Sequence, residues 1–246
     1  MTGLILAHTR HQMLEQLRVP IGLIASAFFP SVSMLVFAVP FTGDDAAAAT
    51  RATASMMLIG AMSAALIGLS VTIAQDRELP WNPYVRTLPA GPLPRFAGRI
   101  LTTLAIMFLA VIPVLVIAAL LTEATITVPR LLLGLVALAV GAVPFMLMGL
   151  FLGFLLPSKG AVAVSQIAFF PLAIVGGLML PLQFMPEFVQ TLSLFFPARG
   201  SGELMWWAVT GAAPHPAALA ALAVWTAASA VLAVWAYRRD EGRRFS

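Results

Sequence analysis

The sequence predicts an all-α membrane protein with six transmembrane helices. It also predicts an N-terminal interfacial helix and a re-entrant or interfacial external helical segment between spans five and six. Of 246 residues, 61% are hydrophobic and only 10% are charged, whereas soluble domains carry about 25% charged residues. Uncharged stretches recur at the length of about 20 residues that crosses a bilayer core. In a single domain, residues 1–246, the predicted spans are residues 19–41, 52–74, 100–121, 131–156, 161–180 and 217–237.

Basic residues predict the orientation of these spans. If both termini are cytoplasmic, 11 lysine and arginine residues face the cytoplasm, and only Arg51, Arg130 and Arg199 face outward. An excess of basic residues on the cytoplasmic side is the usual pattern of membrane proteins. We therefore expect a multi-pass protein with both termini in the cytoplasm.

Residues 4–18, before the first span, have the pattern of an amphipathic helix. Leu6, Leu14 and Leu17 recur near helical spacing, and Arg10 and Glu15 belong to the polar side. Pro20 is expected to end this helix. Such a helix lies along the membrane surface with its apolar face in the acyl boundary. The alternative is a plain extension of the first span.

Small residues spaced four apart occur in two spans. Span four contains Gly149 and Gly153, and span two contains Gly60, Ala64 and Gly68. Such spacing lets helix backbones approach closely in lipid. We expect both faces to pack inside one bundle.

The segment after span five is too broken by proline to cross a membrane. It contains Pro181, Pro186 and Pro197, and it ends at Arg199. Residues 186–196 could form one short helix, and the tryptophans that follow favour the headgroup level. We therefore expect an external re-entrant or interfacial helical pair.

The sequence gives little support for catalysis. It has no cysteine and a single lysine, so a phosphate-binding loop of the G-x-x-x-x-G-K-[ST] type is absent. His8 and His11 could share a helix face but have no third metal ligand nearby. Ser201 is expected outside the bundle, and span six has no histidine that could act as its base. We expect no catalytic residue, no metal and no cofactor bound by this chain.

The six spans also lack aspartate, glutamate, lysine, arginine and histidine. Ion-coupled carriers usually keep ionisable groups inside their spans, so the pattern argues against them, although sodium held by backbone oxygens remains conceivable. A bundle without its own energy source is expected to be driven by another protein.

The longest polar interruption runs over residues 75–99. It begins with Asp76-Arg77-Glu78, continues through Trp81 and Tyr84, and reaches Arg86-Thr87-Leu88-Pro89. Charges at the bilayer centre cost about 2.5–3.5 kcal/mol each, so this stretch lies in water or at the membrane surface. Its five prolines restrict backbone freedom.

Taken in order along the whole chain, these features resemble the ABC type 2 transporter permeases, the membrane subunits of bacterial ABC exporters. Members of that family carry an acidic-basic-acidic triplet after span two, followed by Leu/Arg-x-x-Pro, and a proline-broken outer segment. Here Leu79-Pro80-Trp81 stands where a Gly-Thr pair is common.

The resemblance implies export of a drug, antibiotic or lipid across the bacterial plasma membrane. It implies two copies of a separate ATPase that bind ATP and magnesium, and a second permease chain, identical or different, without nucleic acid. The spans offer no charged pocket, so we expect an amphiphilic or apolar substrate. The resemblance assigns ATPase coupling to the stretch that holds Asp76, Arg77, Glu78 and Arg86, which offer ion pairs to a partner. In the same stretch we expect Trp81 and Tyr84 to serve as aromatic anchors of the kind enriched at interfaces. The alternatives are an ion-gradient-driven carrier and a non-transporting membrane sensor or scaffold.

Overall fold

A computed structural model describes residues 2–18, 20–42, 45–80 and 93–242, and their regular structure is entirely helical. The helices are α1 (Thr2–Arg18), α2 (Pro20–Ser33, continuing through a π-helical Met34–Ala38 into Val39–Thr42), α3 (Ala46–Met62, continuing through a π-helical Ser63–Gly68 into Leu69–Glu78), α4 (Leu93–Leu121), α5 (Val128–Leu155), α6 (Ser158–Val175), α7 (Glu187–Ser193), α8 (Pro197–Thr210) and α9 (Pro216–Gly242), with a short 3-10 turn at Leu182–Phe184. The predicted all-α membrane fold is confirmed.

Five helices within the described residues are long and apolar enough to cross a membrane. They are α3, α4 from Phe96 onward, α5, α6 and α9. The first predicted span corresponds to α2, whose described apolar part, Ala27–Ala38, is shorter than a span. A crossing by α2, and with it the count of six, stays a prediction.

Helix α3 lies at the centre of the bundle, in contact with α2, α4, α5, α6 and α8. Leu58, Ile59, Met62 and Leu66 of α3 are completely buried, as is Phe145 of α5. The other helices therefore pack around α3.

Local contacts and backbone geometry explain where α3 begins and where α6 ends. The Asp45 carboxylate accepts hydrogen bonds from the backbone N–H groups of Ala47 and Ala48, which caps the start of α3. Helix α6 ends at Val175 rather than near Leu180, because Gly177 takes a left-handed φ of 72° that turns the chain. The sequence placed the end of this span near Leu180, because Gly176 and Gly177 lie within an uninterrupted apolar run.

Helix α1 packs along the beginning of α4. At Gly98 an added Cβ would lie 2.9 Å from the Cβ of His8, so the two backbones approach closely. Leu6, Leu14 and Leu17 of α1 remain exposed. The predicted N-terminal helix is therefore present, and its position at a membrane surface stays a prediction.

Candidate functional site

The polar stretch is partly helical. Asp76, Arg77 and Glu78 form the last turn of α3, and the predicted coupling residues Trp81, Tyr84 and Arg86 lie outside the described residues. The three charged side chains of the last turn all find partners on other helices. We call this group the helix-end cluster, and it comprises Asp76, Arg77, Glu78, Arg99, Ser158 and Asp240.

Arg77 holds the end of α5 against α9. Its Nη1 donates to the carbonyl oxygens of Gly153 at 2.8 Å and of Leu156 at 2.9 Å. The Gly153 carbonyl has no helical donor four residues on, because Pro157 lacks an N–H. The Nη2 of Arg77 also donates to Oδ1 of Asp240, at 2.7 Å, and the Asp240 side chain is only 4% exposed. One guanidinium thus replaces missing backbone donors and neutralises a buried carboxylate.

Glu78 holds the beginning of α6. Its carboxylate accepts from the backbone N–H of Ser158 at 2.8 Å and from the Ser158 hydroxyl at 2.6 Å. A negative group at the first turn of a helix satisfies a free N–H and opposes the positive end of the helix dipole. Glu78 lies beyond the apolar part of α3, which ends near Ala74, and the hydrogen bonds from Ser158 lower its pKa from the ordinary value of 4.5.

Asp76 pairs with Arg99, which lies in the second turn of α4. The Arg99 Nη2 donates to Oδ2 of Asp76, and Arg99 is 8% exposed. This ion pair fixes the end of α3 to the beginning of α4, on either side of residues 81–92.

Three aromatic rings pack beside the cluster. Phe96 of α4, Phe154 of α5 and Tyr237 of α9 meet edge to face, with ring centres 5.1–5.4 Å apart. Such pairs contribute about 0.5–1.5 kcal/mol each beyond their burial. Helices α4, α5 and α9 are each bound to α3 by charged groups of the helix-end cluster. These rings join the same three helices to one another by apolar packing.

The helix-end cluster links α3 to α4, α5, α6 and α9 at one end of the bundle. The sequence indicated Asp76, Arg77 and Glu78, but as groups that offer ion pairs to another protein. The structure gives each of them a partner within the chain, and their contact with a second protein stays a prediction. Asp240 was missed, although an acid among Arg238, Arg239, Arg243 and Arg244 is a local signal.

The predicted external segment forms a helical pair, α7 and α8. Pro181 and Pro186 are exposed and precede the 3-10 turn and α7, whereas Pro197 is buried at the start of α8. Arg199 pairs with Glu203 at 2.6 Å within α8. Helix α8 packs against α3, α5 and α9, so this part of the segment belongs to the interior of the bundle.

Two side chains of α8 have structural roles that the sequence did not suggest. Trp206 is 4% exposed and packs inside the protein, and its depth in the membrane stays a prediction. The Ser201 hydroxyl is buried and donates to the Gly141 carbonyl of α5 at 2.9 Å. Ser201 therefore ties α8 to α5 and is not placed as a nucleophile.

These observations define a multi-pass membrane protein in which side-chain contacts hold the end of α3 and the beginning of α4, the two helices that flank the polar stretch. The sequence model of the ABC-2 type transporter family matches residues 3–209. The chain therefore belongs to the ABC-2 type transporter family.

A curated relative comes from Bacillus subtilis (strain 168) and is described as "Putative transport permease YvfS". It is 21% identical over 160 residues, which cover 65% of this chain and 65% of the relative. The chain thus spans about two thirds of the length of the relative it matches.

Proposed function

We propose that this chain is the permease subunit of an ATP-driven exporter in the bacterial plasma membrane. Two copies of a separate ATPase would supply the energy, with ATP and magnesium bound on that partner. A second permease chain, of the same kind, would complete the pathway for an amphiphilic substrate such as a drug, antibiotic or lipid.

The helix-end cluster is the observation that supports this proposal. A driven permease needs a point on its cytoplasmic side from which one movement reaches several spans. The last turn of α3 meets this need, because Asp76, Arg77 and Glu78 contact four other helices. Movement of residues 81–92 by a docked ATPase would pull on α3 and α4, and the cluster would carry it to α5, α6 and α9.

The membership in the ABC-2 type transporter family supports the same assignment. Proteins of an ABC system take energy from ATP rather than from an ion gradient, and the predicted spans carry no ionisable residue. The proposed orientation, with both termini cytoplasmic, places the cluster on the side where ATP is available.

The proposal is tested in inverted membrane vesicles that contain this chain and its ATPase. We expect a fluorescent amphiphile, an NBD-labelled lipid or a rhodamine dye, to be moved when ATP is supplied and the proton and sodium gradients are collapsed. An ATPase variant that binds but does not hydrolyse ATP should abolish this movement. Movement driven by an imposed ion gradient without ATP would refute the proposal, and so would vesicles in which neither energy source moves any probe.

A further inference from the structure

Two arginines lie against one tryptophan at the end of the bundle opposite the helix-end cluster. The guanidinium carbons of Arg51 on α3 and Arg199 on α8 are 4.2 and 5.1 Å from the ring centre of Trp206. The indole N–H of Trp206 donates to the Ser55 hydroxyl at 2.9 Å, which fixes the ring. Because the face of an indole attracts cations, the ring holds both charged groups in one place.

Arg199 has hydrogen-bonding capacity that the protein does not use. Its Nη2 pairs with Glu203, but its Nε and Nη1 are buried without a hydrogen-bond partner in the part of the chain that the structure describes. A guanidinium has five N–H donors and no accessible neutral form. Both atoms are enclosed by the protein, and buried donors without acceptors cost free energy, so a ligand oxygen that reached either of them would relieve this cost.

Two cavities adjoin this pair of arginines, and both arginines line each of them. One has a volume of about 410 Å³ and also contacts Glu203 and His215. The other, of about 560 Å³, has Phe37, Met179 and Phe184 on its apolar side. Volumes of roughly 300–1,000 Å³ are usual for small-molecule sites. The site thus joins a cationic end to an apolar wall.

The carboxylates near the site leave positive charge available. Glu203 offsets Arg199 and accepts from the backbone N–H of His215 at 3.2 Å. Asp45 lines the larger cavity, but its carboxylate already caps α3. The exposed Arg51 has no ion pair among the described residues, so one cation remains uncompensated.

We propose that Arg51 and Arg199 bind the phosphate group of an amphiphile, whose apolar part lies along Phe37, Met179 and Phe184. A phosphate carries several acceptor oxygens that match the forked donors of arginine. Trp206 acts as the platform that positions both guanidinium groups. This inference goes beyond the proposed function, because it concerns binding to the resting protein and requires neither ATP nor the ATPase.

The test uses the full chain in dodecyl maltoside micelles, which contain no phosphate group, and measures dissociation constants by microscale thermophoresis. The probes are dioctanoyl phosphatidic acid, dioctanoylglycerol and inorganic phosphate. We expect dioctanoyl phosphatidic acid to bind, and each of the other two to bind at least about tenfold more weakly, because one lacks the charge and the other the apolar chains.

Variants assign the binding to the two arginines. Arg51→Gln and the pair Arg199→Gln with Glu203→Gln should each weaken dioctanoyl phosphatidic acid binding by at least about tenfold, as expected for loss of charge-assisted hydrogen bonds. The double change removes both members of a pair and leaves no buried charge alone. Arg130→Gln is the matched control, since Arg130 lies at the same end and lines neither cavity.

Three results would overturn the proposal. Arg51 is exposed, so Arg51→Gln should fold normally. Wild-type affinity of this variant for dioctanoyl phosphatidic acid would show that the arginines do not form the binding site. Equal affinity for inorganic phosphate would assign the site to the free anion, and equal affinity for dioctanoylglycerol would show an apolar groove alone. Loss of ATP-driven transport in the earlier experiment would not produce any of these outcomes, so the two proposals fail separately.

Discussion

At the scale of single residues, Arg77 shows how a membrane-protein helix end is satisfied. Pro157 removes the N–H that would pair with the Gly153 carbonyl, and a side chain from another helix supplies the donor at 2.8 Å. The same side chain neutralises Asp240, which is nearly inaccessible. A buried carboxylate without its cation is strongly unfavourable, so this ion pair couples the stability of α9 to that of α3 and α5.

Replacing Asp240 by asparagine should therefore destabilise the protein. Loss of one partner from a buried ion pair costs about 3–5 kcal/mol, which corresponds to a fall of roughly 6–20 °C in the apparent Tm of a chain this size. Thermal unfolding followed by tryptophan fluorescence in detergent measures it. Arg238→Ala, at an exposed position two residues earlier, should change Tm by less than about 2 °C. A Tm for Asp240→Asn equal to that of wild type would contradict the role assigned to the pair.

Only half of the helix-end cluster could be predicted from the sequence. Asp76, Arg77 and Glu78 stand out because they interrupt an apolar chain. Their partners lie 23, 163 and 80 residues away in sequence, and no local pattern joins residues so far apart. Pairing across a bundle depends on helix packing, which a single sequence does not display.

At the scale of helices, glycine brings α5 against α3. A Cβ added at Gly149 would lie 2.3 Å from the Ala65 carbonyl oxygen, and one at Gly153 would lie 2.8 Å from the Ser70 carbonyl oxygen. The predicted packing role of this pair is confirmed. The π-helical turn at Ser63–Gly68, against which Gly149 packs, was not predicted, because the residues there have no distinctive pattern.

Gly149→Ala should loosen the contact between α5 and α3. A methyl group cannot occupy a position 2.3 Å from a backbone oxygen, so the helices must separate, at a cost of about 1–3 kcal/mol. We expect a lower Tm in the same fluorescence assay.

Gly68→Ala is the control for that change. Gly68 lies in the neighbouring π-helical turn, and an added Cβ there would meet only the Ser63 carbonyl oxygen, at 4.0 Å. We expect Tm to stay the same or rise slightly, because alanine restricts the unfolded chain more than glycine does. Equal losses of Tm in both variants would show that close packing at Gly149 is not the cause.

At the scale of the whole molecule, several arginines divide between the two ends of the bundle as the sequence predicts. Arg51 and Arg199 meet at Trp206, and Arg130 donates to the nearby Ala208 carbonyl at 3.4 Å. These are the three basic residues that the sequence places outside, whereas Arg77 and Arg99 lie in the helix-end cluster. The two groups of arginines therefore lie at opposite ends of the bundle. Which end faces the cytoplasm stays a prediction.

The chain has no cysteine, so single cysteines can report the orientation. Phe188→Cys, at an exposed position of α7, should react with a membrane-impermeant maleimide in intact cells. Lys159→Cys, exposed in the first turn of α6, should react only after the membrane is permeabilised. Modification of Lys159→Cys in intact cells would reverse the topology and place the helix-end cluster outside.

The central claim is that energy from a separate ATPase enters through the end of α3 and the connection that follows it. The direct measurement is the number of fluorescent amphiphile molecules moved per ATP hydrolysed, in proteoliposomes that contain this chain and its ATPase. For Glu78→Ala we expect this ratio to fall at least about tenfold while hydrolysis continues, as expected when one hydrogen-bonded charge is lost. For Arg86→Ala, which removes a charge that the family resemblance assigns to coupling, we expect a fall of similar size. Arg238→Ala, an exposed charge removed from the same end of the bundle, should keep the wild-type ratio. An unchanged ratio in both Glu78→Ala and Arg86→Ala would contradict the claim.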